Sequence, residues 1–250
     1  MALARFFADR PFGGAYLPLS AEDVHHASAV LRLTPGAEIS VVGGDGIARV
    51  VTLDTVDRSG LTGSVARTID RPWLPCVTLV TAIGKGDKID LVVEKAVEIG
   101  VERIVLLDTE RTVVRLDDAR RERRMERLRR VARSAAQQSQ RFEMPQVEGP
   151  FDMSTFASAV SSFDRVVVAW EEHRDRGVDS ALAGCGADDR VAVVVGPEGG
   201  LTEAEVALLT DAGASVVSLG PTILRTETAA IVATALVSGV LGGMGLSGRG

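Results

Sequence analysis

The sequence predicts an α/β fold, with a small β-rich unit first and then a parallel sheet covered by helices on both faces. Three observations predict it. Before residue 70, short β-branched segments alternate with Gly- and Asp-rich turns. The run Arg71-Pro72-Trp73-Leu74-Pro75 then interrupts regular structure, because neither proline can donate a backbone hydrogen bond. Beyond it, continuous Val-rich runs alternate with helical patterns, as in strands buried on both faces. The domains are therefore expected at 1–72 and 73–250. The chain has 250 residues, 46% of them hydrophobic, which suffices for a full core. With only 4% aromatics, that core must be built from Val, Leu, Ala and Ile.

In the first unit, strands are expected at 38–42, 48–53 and 63–67. Gly43-Gly44-Asp45-Gly46 and Asp57-Arg58-Ser59-Gly60 supply the turns. One helix interrupts them. It starts at the capping-box-like Ser20-Ala21-Glu22-Asp23 and carries His26, Val30 and Leu33 near one face. In the second unit, strands are expected at 77–82, 101–107, 165–170, 191–195 and 215–219. Helices are expected at 87–99, stopped by Gly100, and at 118–140, which is Arg-rich. A further helix at 202–212 has the capping box Thr202-Glu203-Ala204-Glu205, and the last begins at Thr226. That last helix is apolar nearly all round, so it must be covered on both sides: by its own sheet and by a second subunit.

Charge and composition exclude several classes. The first residues carry Arg and Asp with no long apolar run, unlike a secretory signal. The apolar stretch 229–241 is too short to span a bilayer, so a cytoplasmic protein with no membrane partner is expected. Cys76, Cys185 and the three histidines lack metal-site spacing, so no metal is expected. The net charge of −6 is unevenly spread. Residues 111–141 hold eleven arginines against four acids, a local +7, which leaves −13 for the rest. Such segregation points to a local nucleic-acid surface, although an Arg-rich helix can also be a merely solvated face.

Two loops follow strands in the second unit: Gly196-Pro197-Glu198-Gly199-Gly200 and Gly220-Pro221-Thr222-Ile223-Leu224-Arg225. Ligands of open parallel sheets bind beyond the carboxyl ends of the strands, and glycine lets a ligand approach the backbone. Neither loop is a P-loop. The GxGxxG string at 243–248 has no strand before it, so no dinucleotide site is supported. What remains is a ligand held by backbone groups and apolar side chains. Other readings stay open: the first loop can be a tight strand-to-helix turn, Glu198 can complement a helix dipole, and His26 can be a half-buried core residue.

The run Val195-Gly196-Pro197-Glu198-Gly199-Gly200-Leu201-Thr202-Glu203-Ala204-Glu205, with Leu219-Gly220 and Ile223-Leu224-Arg225-Thr226-Glu227-Thr228-Ala229, resembles the signature of the SPOUT superfamily. Within it, the chain is similar to the ribosomal RNA small-subunit uridine-N3 methyltransferases. Arg5-Phe6-Phe7, His25-His26, Val30-Leu31-Arg32, Lys85-Gly86-Asp87-Lys88, Glu94-Lys95-Ala96, Glu98-Ile99-Gly100 and Gln138-Ser139-Gln140-Arg141 extend the resemblance over nearly the whole chain. Two positions depart from the pattern: Gln140, where glycine is common, and Pro221, where a basic or small residue is common.

The resemblance implies a PUA-like RNA-binding β-barrel, a SPOUT trefoil-knot domain, a homodimer and S-adenosyl-L-methionine (AdoMet) as cofactor. Its expected contacts are Gly196, Glu198, Gly199, Leu219, Gly220, Ile223, Leu224 and Thr226, with Leu219, Ile223 and Leu224 around the adenine. The implied reaction is methylation of N3 of a uridine (uridine 1498) in 16S rRNA of the small ribosomal subunit. Arg225 is expected to stabilise charge on the uracil, and Glu227 or water to take the proton. Arg5, His26, Arg32, Lys85, Lys88, Lys95, Arg115 and Arg141 are expected to form a basic RNA track. The alternatives are another SPOUT enzyme acting on tRNA or a ribose 2′-OH, and a non-catalytic RNA-binding assembly factor.

Overall fold

The computed structural model describes residues 3–84, 87–112, 117–173 and 175–244. Lys85, Arg115 and the end of the 243–248 glycine string lie outside the described residues. The chain divides into two units. The first comprises Met1–Pro72 together with Ala136–Met144, and the second Trp73–Ala135 together with Pro145–Gly250.

The first unit is a five-stranded mixed sheet. Its strands are β1 (Arg5–Phe7), β2 (Tyr16–Leu17), β3 (Glu38–Val42), β4 (Ala48–Val56) and β5 (Leu61–Ile69), in the order β1-β3-β4-β5-β2. β1 pairs parallel with β3, and the other pairs are antiparallel. Phe6, Leu17, Ile39, Leu53 and Leu61 fill its core. At the β4–β5 turn, Asp57 Oδ1 accepts from the Ser59 and Gly60 amides at 2.7 and 3.1 Å, the self-bonding that suits Asp to turns. Helix α1 (Ala21–His25) is capped by Ser20, whose Oγ accepts from the Asp23 amide at 3.1 Å. It does not continue as a regular helix. Residues His26–Val30 form a π turn, and Arg32 ends it at φ 52°. The shared face expected for His26, Val30 and Leu33 is therefore lost. Val30 and Leu31 point to solvent beside the exposed His26 and Arg32.

The short return segment 136–144 belongs to this unit because Arg5 holds it. The Arg5 guanidinium donates to Gln140 O, to Arg141 O at 2.9 Å and to Ser40 Oγ at 3.2 Å, and it lies 4.5 Å from the Phe142 ring centre. Gln137 Nε2 adds a bond to Asp23 Oδ1 at 2.7 Å. Gln140 has φ 59°, a conformation that costs most residues but not glycine. That accounts for a glycine-favouring position. Here the Gln140 side chain compensates, donating to Leu3 O and Gln137 O at 3.1 and 3.2 Å.

The second unit is an all-parallel, six-stranded sheet. Its strands are β6 (Val77–Ala82), β7 (Arg103–Asp108), β8 (Gln146–Asp152), β9 (Arg165–Ala169), β10 (Val191–Val195) and β11 (Ser215–Val217), in the order β11-β9-β10-β6-β7-β8. Every residue of β6 and β10 is buried, as expected of the unbroken apolar run of β10 and of a β6 whose only polar residues are Thr78 and Thr81. The helices are α2 (Lys88–Ile99), α3 (Asp118–Gln138), α4 (Met153–Ala159), α5 (Val178–Ala181), α6 (Glu203–Asp211) and α7 (Thr226–Val240). Ala192 and Val194 of β10 pack in one core with Phe156, Val206 and Leu209 of α4 and α6. The alternate face of β10 is left to α7, which also packs on α2, α5 and β6. The sheet is thus covered on both faces. β6 leads to β7 and β8 on one side, while β10, β9 and β11 lie on the other, so the strand order reverses between β6 and β10.

Candidate active site

The carboxyl ends of β9, β10 and β11 open into a cavity of about 360 Å³, within the range of small-molecule sites. Ala169, Trp170 and Glu171 line it after β9; Gly196, Pro197, Glu198 and Gly200 after β10; and the run Ser218–Thr226 after β11, with Lys88 from α2. The sheet topology puts the cavity beside the reversal of strand order, where open α/β sheets hold ligands.

The first loop is shaped by its neighbours. Gly200 turns at φ 71° and donates to Pro197 O at 2.9 Å. A Cβ on Gly196 would stand 2.9 Å from Leu201 Cγ and 3.0 Å from the Leu201 amide, so only glycine fits without displacement. Leu201 is buried, and α6 begins with the expected capping box between Thr202 and Glu205. Glu205 is structural, since its second oxygen accepts from the Glu110 amide at 2.8 Å.

The second loop turns at Gly220, with φ 124°, and its amide donates to Ser218 Oγ at 3.2 Å. Ile223 is 82% exposed at the cavity edge, an unusual position for a large apolar side chain that a ligand would cover. Arg225 is exposed and stands at the N-cap of α7 without a capping bond from its own side chain, so that helix end presents partial positive charge to the cavity, met in part by Glu227 at its own amide.

Beside it, Lys88 Nζ lies 3.4 Å from Glu227 Oε2 and 3.9 Å from Glu198 Oε1. The Glu227 carboxyl is held below the usual range, first by its own backbone N–H, then, against opposing burial, by Lys88 and by the charge of Arg225. Trp170 Nε1 is buried and makes no hydrogen bond among the described residues, so the site retains one donor to satisfy. Among the described residues, no group of three or more His, Cys, Asp or Glu is placed to hold a metal.

The structure therefore brings Gly196, Glu198, Leu219, Gly220, Ile223, Leu224, Arg225 and Thr226 onto one cavity. Gly199 is not on its lining. Its carbonyl accepts from Arg111 at 2.8 Å, and a Cβ there would meet Arg111 Cβ at 3.2 Å. Glu227 reaches the site through Lys88 rather than by lining the cavity.

The basic track needs correction. Arg5 and Arg141 are 5% and 6% exposed, inside the first unit, so they cannot serve as surface cations. Lys88 belongs to the cavity, and Lys95 is engaged by Glu94 and Glu98 at 2.7 and 2.9 Å. His26 and Arg32 remain on the surface. Sequence reasoning missed Trp170 and Glu171 at the cavity. The available signal was their place just past a buried strand, the same rule that found the two glycine loops.

A family model described as RNA methyltransferase domain matches residues 72–238. A ribosomal RNA small subunit methyltransferase E of Mycobacterium bovis is 39% identical over 96% of this chain and 93% of its own. This chain belongs to that RNA methyltransferase family. Another family member, the ribosomal RNA small subunit methyltransferase E of Bacillus subtilis, is 34% identical over 88% of each chain. The Neisseria gonorrhoeae family member, solved bound to S-adenosyl methionine, superposes with a TM-score of 0.83 at 27% identity, covering 95% of this chain and 98% of that one.

Proposed function

We propose that this chain is an AdoMet-dependent methyltransferase that modifies N3 of one uridine in 16S rRNA of the small ribosomal subunit. The observation that carries the reading is the cavity at the ends of β9, β10 and β11, where glycine backbone, apolar side chains and opposed charges converge in a family of RNA methyltransferases. The residues fit AdoMet. Leu219, Ile223 and Leu224 offer apolar surface for adenine; Gly196, Gly220 and Thr226 offer backbone groups; and Glu198 offers a carboxylate for a cationic ligand. Gly199 contributes from the second layer, by fixing Arg111. When bound, AdoMet supplies a methyl group on a sulfonium.

The protein must place uridine N3 in line with that methyl and ease the loss of its proton. Arg225, exposed at the start of α7, stabilises the developing negative charge on the uracil. The depressed pKa of Glu227 makes it a weak base, so Glu227 stays ionised and orients Lys88, and the N3 proton leaves to water. N3 lies on the pairing edge, so the uridine must be unpaired or flipped out.

The same reading makes the first unit a PUA-like barrel that contacts RNA through His26 and Arg32. It makes the second unit a SPOUT domain with a trefoil knot, and the enzyme a cytoplasmic homodimer that uses no metal. The exposed Leu236 and Val240 of α7 support the dimer. The test is mass mapping of 16S rRNA after incubation of small subunits with AdoMet and the protein. A single methyl at N3 of one uridine is expected. A methyl on a ribose or in tRNA would move the chain to another SPOUT activity, and AdoMet binding without transfer would make it an assembly factor.

A further inference from the structure

The structure assigns the solvent face of α3 as a docking surface for an RNA phosphate backbone. The choice of RNA as the polyanion rests on the methyltransferase reading above; the surface itself rests on the helix. Met125, Leu128, Ala132 and Ala135 of α3 are buried and fix its inward face. Arg120, Arg123, Arg127 and Arg130 follow at 3-4-3 spacing on the opposite face, and all four are exposed. They form a row about 15 Å long at 1.5 Å per residue, with neighbouring Cβ atoms about 5–6 Å apart.

A helix face that only meets water gains by interleaving acids one turn from bases. Here Glu126 stands one turn from both Arg123 and Arg130, yet neither arginine pairs with a carboxylate among the described residues, and Glu122 is taken by Arg129 at 3.2 Å. Arg120 pairs with Asp117 at 3.4 Å in an exposed bridge of little strength that a phosphate can replace. Arg127 pairs with Asp87 at 2.8 Å and with Asp90.

Asp87 immediately precedes Lys88, which lines the cavity, so the Arg127 side of the row runs toward the site. Arg123 and Arg130, with Arg120 once it leaves its exposed bridge, offer guanidiniums to a run of phosphates in a protein of net charge −6, each phosphate able to take two parallel bonds from one arginine, while Arg127 stays held by Asp87 and Asp90. An anionic membrane fits less well, because α3 exposes no large apolar side chain to enter a bilayer. Contacts of this kind position RNA without reading its sequence.

The test uses the full chain with Arg123→Glu/Arg130→Glu, and the milder Arg123→Gln/Arg130→Gln in case charge reversal impairs folding. A 16S rRNA transcript and phosphatidylglycerol vesicles serve as probes across a salt series, with AdoMet affinity measured alongside. Charge reversal should weaken transcript binding by about tenfold or more at low salt and flatten the salt slope by roughly 1.4, two phosphates' worth. AdoMet affinity, and the single-turnover rate at saturating RNA, should stay as in the unmodified protein. A folded glutamine variant with unchanged affinity and slope would overturn the inference, as would losses confined to vesicles. The two readings fail separately: an unmodified protein that transfers no methyl sinks the proposed function, whereas the arginine row stands if its variants still lose the transcript.

Discussion

Lys88 Nζ stands 3.4 Å from Glu227 Oε2, joining the first turn of α2 to the first turn of α7 at the cavity. The pair keeps Glu227 ionised in company with its own amide and Arg225. Lys88→Met removes one of these supports, so the Glu227 pKa should rise toward the ordinary carboxylate value. The Glu227 carboxyl, followed by NMR titration of the unmodified and variant proteins, should then take up its proton at higher pH in the variant. The half-exposed lysine is partly screened by water, so the fold should survive. Superimposable pH profiles would detach Lys88 from the ionisation of Glu227.

The two loop glycines should behave differently. Gly196→Ala places a methyl against the backbone of Leu201 and should cost about 1–3 kcal/mol of stability, together with most AdoMet affinity. Gly199→Ala meets Arg111 Cβ at 3.2 Å, a tight contact relieved by a shift of a few tenths of an ångström, and should change affinity a few-fold at most. Calorimetric titration of both variants checks the order; equal losses would return Gly199 to the cavity.

Arg5→Met should act on folding, not on RNA. It leaves the Gln140 and Arg141 carbonyls without their charged donor, a loss of about 3 kcal/mol. Urea denaturation should show the midpoint falling, and the salt slope of RNA binding in the folded fraction should be unchanged. A flatter slope at full stability would restore Arg5 to the RNA surface.

Acid should loosen the β3–β4 turn at a definite point. The Asp45 carboxyl is lowered to about 2, chiefly by its hydrogen bonds from Arg49. Because the unfolded chain binds that proton more readily, the contribution is complete above about pH 4 and disappears as pH falls toward 2. Asp45→Asn should therefore flatten the stability-against-pH curve in that window and leave its slope above pH 5 untouched. Thermal melts at stepped pH would reveal it.

The all-apolar α7 has two kinds of position. Val237 is fully buried in its own chain, whereas Leu236 and Val240 face outward, at 43% and 41% exposed. Val237→Lys should unfold the second unit, because an unpaired charge would be buried. Leu236→Lys should leave it folded and shift sedimentation toward the monomer. A monomer already present in the unmodified protein would remove the dimer from the proposal.

The buried strands β6 and β10 were legible because an apolar run such as Val191–Val195, or a β-branched-rich one such as Val77–Ala82, has one economical fate in an α/β sheet. The two glycine loops were legible because they follow such strands. Strand β8 was not: Gln146–Asp152 mixes charge, glycine and proline at a sheet edge, where one side needs no partner. Nor was Arg5, whose three-residue strand has no readable period and whose carbonyl partners at Gln140 and Arg141 lie more than 130 residues away. Lys88 looked like an RNA cation for a similar reason: composition gives its charge but not the two carboxylates that the fold brings beside it.

The grip of Arg5 on residues 136–144 has a consequence for how such a protein can be taken apart. The polypeptide passes between the units three times, after Pro72, after Ala135 and after Met144. No single cut releases either unit whole. A fragment ending at Pro72 would lack the segment that closes its own interior, and the remainder would carry an orphaned loop. The β-rich unit is therefore not a detachable module: its inheritance, its synthesis on the ribosome and its shuffling among genes are tied to a stretch of chain made only after the Trp73–Ala135 part of the second unit has emerged.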